Sequence, residues 1–164
     1  MKLKSLVAAS AIACATGTAL ADTTFNLGPI DGQSKSIGDS FAAGAAPFTD
    51  TYNFSLIGPN TLSGIVTTFN FMTLFGISGL SLSLTGGTLL GAATDVNPAD
   101  GYSFSGLGLG NYALKITGDV TGTGGGAYGG VMQAAPVPEP ETYALLLAGL
   151  GVIGFVARRR RPQQ

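Results

Sequence analysis

The sequence contains no histidine, no tryptophan and a single cysteine, Cys14. Without histidine, Ser-His-Asp and Cys-His catalytic arrangements and imidazole metal sites are excluded. Because Cys14 lies in a leader that we expect to be removed, the mature chain would contain no thiol. Disulfides are therefore excluded as well, and the fold has to rest on its hydrophobic core alone.

Charged residues are also scarce, and they are distributed unevenly. Residues 22–135 contain no Arg and no Glu, and their two lysines against seven aspartates give a net charge of −5. A mildly acidic domain does not suit nucleic acid, whose phosphates require clustered cations. We expect no nucleic-acid partner, no cofactor and no enzymatic activity, with a hydrolase that uses two aspartates as the alternative.

The N-terminus has the pattern of a secretory signal peptide over residues 1–21. Lys2 and Lys4 form a positive region, an apolar stretch follows, and the small residues Ala19 and Ala21 flank Leu20 ahead of Asp22. This order of charge, apolar core and small-x-small site predicts export, with cleavage after Ala21.

Residues 22–135 read as one all-β domain. In FTDTYNFSLI, the side chains of Phe48, Asp50 and Tyr52 fall on one face of a strand and polar side chains fall on the other. SGLSLSLTG and GNYALKITG alternate in the same way, and IVTTFNFM places Ile65, Phe69 and Phe71 on one face. The 26 glycines of the chain punctuate these runs. About eight short strands predict an antiparallel β-sandwich or jelly roll, and the lack of a fixed period disfavours a Gly-rich solenoid.

Two groups of oxygen-bearing side chains are candidates for binding. Asp50 falls on an apolar face, so it needs partners, which are either backbone N–H groups or a cation or glycan. In DVNPADG, Asp95, Asn97 and Asp100 are weak candidates for a calcium site, although an ordinary Asx-Pro turn fits them better.

Four aromatic residues could stack on sugars, but their alternating positions favour a place in the core. They are Phe69, Phe71, Tyr102 and Tyr112.

The C-terminal segment, residues 136–164, has three parts. Prolines make APVPEPE stiff and extended, and an apolar run of residues 143–157 follows, which would span about 22 Å as a helix. We predict a single, short transmembrane helix there, followed by a cytoplasmic stop-transfer block. That block is Arg158, Arg159, Arg160 and Arg161.

This segment closely resembles the bacterial PEP-CTERM sorting signal. The resemblance implies that Pro138, Glu139 and Pro140 form the motif that an exosortase recognises before it cleaves the tail. It further implies transient retention in the inner membrane, then release to the outer envelope, cell surface or extracellular matrix of a Gram-negative bacterium that makes exopolysaccharide or biofilm.

The domain also resembles the FxDxF group of PEP-CTERM proteins. Phe48-Thr49-Asp50-Thr51-Tyr52 matches that motif, with Tyr52 in place of the last phenylalanine. Taken together, we expect a non-enzymatic surface or matrix protein that is processed by an exosortase. The alternative is a glycan-binding module of the matrix, with or without the assistance of calcium, with exopolysaccharide as its partner.

Overall fold

A computed structural model describes residues 22–45, 47–137 and 140–159. The leader, with Ala19 and Ala21, lies outside these residues. Within these residues the structure contains nine strands, one 3₁₀ turn and one helix: β1 Thr24–Pro29, β2 Ser34–Phe41, β3 Phe48–Leu56, β4 Asn60–Phe69, β5 Ile77–Gly86, β6 Ala93–Asp95, the turn Pro98–Asp100, β7 Tyr102–Leu107, β8 Gly110–Val120, β9 Gly126–Pro136 and α1 Pro140–Arg159.

The strands form two sheets. Sheet A has five strands in the order β1-β3-β8-β5-β6, and sheet B has four in the order β2-β9-β4-β7. All pairs are antiparallel except β1 with β3, which run parallel. The predicted β-sandwich is confirmed, with nine strands rather than about eight and with one parallel pair.

Alternating side chains explain why the two sheets face each other. β3 and β8 bury every second residue, which leaves Thr, Ser, Asn and Lys on the outer face of sheet A. The core between the sheets is built mainly from aliphatic and aromatic residues of these strands and of β4, β5, β7 and β9. Its largest fully buried members include Phe48, Tyr52, Leu62, Leu82, Leu84, Leu107, Leu114, Ile116 and Met132.

One glycine makes room for an aromatic side chain in this core. A Cβ atom on Gly64 would lie 2.7 Å from the Tyr102 hydroxyl and 2.0 Å from the carbonyl oxygen of Val131. Gly64 pairs with Tyr102 across β4 and β7. Tyr102 is buried because its neighbour has no side chain.

One strand was missed, and one prediction about individual side chains was wrong. Residues Ser34–Phe41 form β2, which the sequence pattern did not indicate. Phe69 and Phe71 are exposed rather than in the core, because the buried positions of β4 are Asn60, Leu62 and Val66. The expectation for the other two aromatics, Tyr102 and Tyr112, is confirmed, since both are buried.

Candidate functional site

Asp50 lies in the middle of β3 and its side chain is completely buried. One carboxylate oxygen accepts the backbone N–H of Thr23 at 3.0 Å. The other oxygen accepts the hydroxyl of Tyr128, which belongs to β9 in the opposite sheet, at 2.5 Å. The carboxylate therefore joins sheet A to sheet B and to the chain segment that enters β1.

Tyr52 extends this contact into a chain of hydrogen bonds. Its hydroxyl lies 2.9 Å from that of Tyr128 and accepts the backbone N–H of Gly38 at 2.9 Å. Because Tyr128 donates its proton to Asp50, the Tyr52 hydroxyl must donate to Tyr128. The hydrogen bonds thus run from the Gly38 N–H to Tyr52, from Tyr52 to Tyr128 and from Tyr128 to Asp50, and both hydroxyl protons are donated. We call these four residues, together with Thr23, the Asp50 clasp.

Aromatic rings enclose the clasp. Phe48 stacks on Tyr128 with ring centroids 5.5 Å apart, and Phe41 stacks on Phe48 at 4.1 Å. Phe25 stacks on Tyr52 at 4.7 Å. These apolar surfaces exclude water from the carboxylate, which strengthens its hydrogen bonds and makes an unpaired charge there costly.

Burial is the largest influence on the acidity of this carboxyl group and raises the pKa of Asp50 to about 6. The hydrogen bonds from Tyr128 and Thr23 lower this pKa, while the negative charges of Asp39 and Asp22 raise it. Burial also raises the pKa of Tyr52 to about 12. Each residue of the clasp is hydrogen-bonded to another member of it.

The family-motif residues Phe48, Asp50 and Tyr52 are therefore brought together on one buried face. Tyr128 is the partner that the sequence did not reveal, since it lies 78 residues from Asp50. The expected backbone donor is present, because Thr23 supplies its N–H. With both oxygens of Asp50 engaged by donors, this geometry does not favour a cation at Asp50.

The loop before β7 holds its polar side chains differently. Asp95 accepts the backbone N–H of Asn97 at 2.8 Å, and the Asn97 amide donates to Asp100 at 2.8 Å. The three side chains are thus already bonded within an Asx turn on the surface. Among the residues that the structure describes, no group of three or more His, Cys, Asp or Glu side chains could hold a metal ion.

A hollow of about 490 Å³ with a mixed polar and apolar lining lies on the outer face of sheet A. The amides of Asn26, Asn53 and Asn111 line it together with Ser55 and Thr85. The Asn53 amide donates to that of Asn26 at 3.3 Å across the parallel pair of strands. We call these five residues the amide cleft. No part of the sequence pattern singled it out, because its members come from four strands.

The C-terminal segment begins where β9 ends. The backbone N–H of Val137 donates to the carbonyl oxygen of Pro59 at 3.0 Å, which fixes the exit point beside β4. Pro138 and Glu139 of the predicted sorting motif lie outside the described residues, and Pro140 is the first residue of α1.

Helix α1 exposes apolar side chains on all its sides. Exposed members include Leu145, Leu146, Leu147, Leu150, Val152, Ile153 and Phe155. Arg158 is exposed near its end and Arg159 is its last residue, whereas Arg160 and Arg161 lie outside the described part.

The predicted helix over residues 143–157 is confirmed as a helix, and it extends from Pro140 to Arg159. Within residues 22–45, 47–137 and 140–159, no helix has both the length and the apolar character that crossing a membrane requires. The predicted crossing is therefore not confirmed.

Residues 136–161 match the family model of the PEP-CTERM protein-sorting motif. This match confirms the resemblance of the C-terminal segment and supports an extracellular protein sorted by an exosortase. The narrower FxDxF grouping stays a prediction. No curated protein matches the sequence significantly.

Two solved bacterial structures show low similarity to this chain. The pre-peptidase C-terminal domain of a collagenase from Bacillus anthracis is 17% identical with a TM-score of 0.42, covering 68% of this chain and 93% of that one. PliG from Aeromonas hydrophila, a periplasmic inhibitor of g-type lysozyme, is 11% identical with a TM-score of 0.44, covering 69% and 98%. Similarity at this level does not transfer an activity.

Proposed function

We propose that this chain is an exported, non-enzymatic protein of the cell envelope or extracellular matrix, retained briefly at the inner membrane and then released by an exosortase. The observation that carries the proposal is the sorting motif at residues 136–161, which begins at the last residue of the sandwich. Association with exopolysaccharide or biofilm belongs to the same proposal.

The position of the motif supports processing without damage to the domain. The sandwich is closed at Val137, whose N–H donates to the carbonyl oxygen of Pro59. A processing enzyme that cuts after Val137 would therefore act beyond the last strand. Cleavage there leaves both sheets and the Asp50 clasp intact.

The character of α1 supports temporary retention. A helix that is apolar on all sides is normally covered by a protein core or by lipid, and the described side chains of α1 are exposed. Gly149, Gly151 and Gly154 lower its helical stability. Such a segment suits a signal that is held and then discarded.

The test is processing in the native host of a chain that carries Pro138→Ala and Glu139→Ala. We expect the variant to accumulate uncleaved in the membrane fraction, because the recognition element is lost. Val137→Ala is the matched control, since it changes the adjacent side chain and keeps the backbone bond to Pro59. Normal cleavage of the double variant would contradict the proposal.

The Asp50 clasp supports a non-enzymatic role for the sandwich. Its carboxylate is buried away from solvent, and both oxygens accept hydrogen bonds, one from the Thr23 N–H and one from the Tyr128 hydroxyl. A general acid or base must reach a substrate proton. We assign to Asp50 the role of holding the two sheets together.

The second candidate function is glycan binding, and the amide cleft is the observation that favours it. Amide side chains both donate and accept hydrogen bonds, as sugar hydroxyls require, and no carboxylate lines the hollow. The site would take a neutral polysaccharide without calcium.

Retention of the protein on the host's exopolysaccharide tests this second function. We expect Asn53→Ala to weaken retention and Ser103→Ala, at an exposed position of β7 in sheet B, to leave it unchanged. Added calcium should have no effect. Equal retention of both variants, or none of the parent protein, would eliminate the amide cleft as a glycan site.

A further inference from the structure

An apolar tip protrudes between β4 and β5. We define it as residues 69–75, with the sequence FNFMTLF. Phe69, Phe71 and Met72 are 68%, 61% and 88% exposed, and Leu74 and Phe75 are also exposed. Single exposed apolar residues need no explanation, but five within seven residues form a patch of the kind that marks an interaction surface.

The tip has a fixed conformation. Phe71 and Phe75 form an isolated bridge, in which the Phe71 N–H donates to the Phe75 carbonyl oxygen at 2.8 Å. The loop that follows β8 holds the other side, because Gly124 donates its N–H to the Leu74 carbonyl oxygen at 2.6 Å. Met72 adopts the left-handed conformation, at φ 48°, to make the turn. The aromatic side chains are therefore presented at low entropic cost.

Apolar side chains dominate the tip, and Thr73 contributes one exposed hydroxyl. The Asn70 side chain is already hydrogen-bonded within the protein. Its amide oxygen accepts the Ile77 N–H, and its amide nitrogen donates to the Thr68 hydroxyl. Between Asp50 and Asp95 the chain carries no charged residue. A sugar would have few hydrogen-bonding groups to contact at the tip, and a charged ligand would meet no opposite charge on this part of the chain. The surface therefore fits a neutral, apolar environment.

The size and position of the tip narrow the partner further. The seven residues of the tip fall short of the roughly 20–30 residues a side that a specific protein interface uses. The tip lies at the Phe69 end of β4, whereas the chain leaves for α1 beside Asn60, at the other end. At about 3.3 Å per residue, the two points are about 30 Å apart along the strand.

We propose that the apolar tip inserts into the interfacial region of a lipid bilayer, independently of α1. Aromatic and aliphatic side chains partition into this region, and Met72 with its neighbours can do so without burying a charge. The net charge of −5 on residues 22–135 opposes binding to anionic lipid. The preferred partner is therefore an uncharged, zwitterionic surface.

The test uses the full chain with a fluorescent label on the tip, because α1 can bind vesicles by itself and would mask a bulk measurement. Cys14→Ser removes the only thiol, and Met72→Cys then carries an environment-sensitive dye. Ser103→Cys, at an exposed position of β7, carries the same dye as the control. Phosphatidylcholine vesicles are the probe, and vesicles containing phosphatidylglycerol provide the charged comparison.

We expect a blue shift of the emission at position 72 with phosphatidylcholine vesicles, a smaller shift with the anionic vesicles and none at position 103. Phe69→Ser with Phe71→Ser should abolish the shift at position 72, with an unchanged urea midpoint showing that the variant is folded. If the label at position 72 keeps its aqueous emission, the proposal fails. It also fails if the same shift appears without lipid as protein concentration rises, or on addition of exopolysaccharide.

Discussion

The interior of the sandwich and helix α1 are both rich in apolar residues, yet they are covered in opposite ways. Leu114 in β8 has no exposed surface, whereas Leu150 in α1 is 57% exposed. In the sandwich, aromatic rings and the Asp50 clasp close the interior, and each sheet covers the other. In α1, the apolar side chains are exposed and are not covered by the described part of the chain.

This difference indicates that the two regions serve separate purposes. Apart from Asn60 Oδ1 and the Tyr102 hydroxyl, the buried side-chain N and O atoms of the described sandwich have hydrogen-bond partners, so it can remain folded after the C-terminal segment is removed. The segment carries the sorting motif, and the apolar side chains of α1 are exposed rather than packed on the domain. The two regions can therefore be perturbed independently.

The largest effect is expected from a matched pair of leucine truncations. Leu114→Ala should lower the free energy of unfolding by about 3 kcal/mol, because it leaves a cavity in a fully buried site. Leu150→Ala should change it by less than about 0.5 kcal/mol, because its side chain is exposed. Urea unfolding measures both values. Similar costs for the two variants would mean that α1 packs on the sandwich.

A smaller effect is expected from pH, through Asp50. Its pKa is about 6 in the folded protein and 3.8 when unperturbed, so between these values the folded state binds more protons than the unfolded state. Stability should therefore be greatest below pH 4 as far as this group is concerned. It should fall by up to about 3 kcal/mol as pH rises from 4 through 6, and it should level off above that range.

Urea unfolding between pH 4 and pH 7.5 measures this dependence, and Asp50→Asn is the matched variant because it cannot ionise. The parent protein should lose stability relative to the variant as pH rises. A parallel course for the two proteins would show that the carboxyl group is not buried as described.

The smallest effect is expected at Tyr52, the position where the chain departs from the FxDxF pattern. Tyr52→Phe supplies the motif's phenylalanine but removes the acceptor of the Gly38 N–H and the donor to Tyr128. We expect a loss of about 1 kcal/mol.

Tyr102→Phe is the control for this change. The Tyr102 hydroxyl is buried and has no hydrogen-bond partner among the described residues, so its removal should leave stability equal or higher. If both changes cost the same, the clasp contributes nothing beyond packing.

Strands with strict alternation could be predicted from the sequence. β3, β5 and β8 each show it, and each forms where the pattern indicates. β2 was missed because Lys35 and Asp39 lie on the same face as Ile37 and Phe41, so the strand has no clean alternation of polar and apolar residues. β2 is an edge strand of sheet B, where such residues are tolerated on the inward face, and the periodicity of the sequence does not show which strands lie at an edge.

Only the need of Asp50 for hydrogen-bond partners could be predicted from the sequence. Its position on an apolar face indicated that need, and the backbone N–H of Thr23, before β1, is one of the partners. Tyr128 and the amide cleft depend on strands that are distant in sequence and meet only in the folded sheets. The aromatic face of β4 pointed outward because register, which the turns and partner strands set, decides which side is buried.

We infer that a self-sufficient sandwich is joined to a removable sorting segment. The intact mass of the protein from the surface of its native host, in wild-type and exosortase-deficient cells, tests this inference. We expect wild-type cells to yield a form lacking residues 143–164 and deficient cells to retain the segment. A surface protein that still ends at Gln164 in wild-type cells would contradict it.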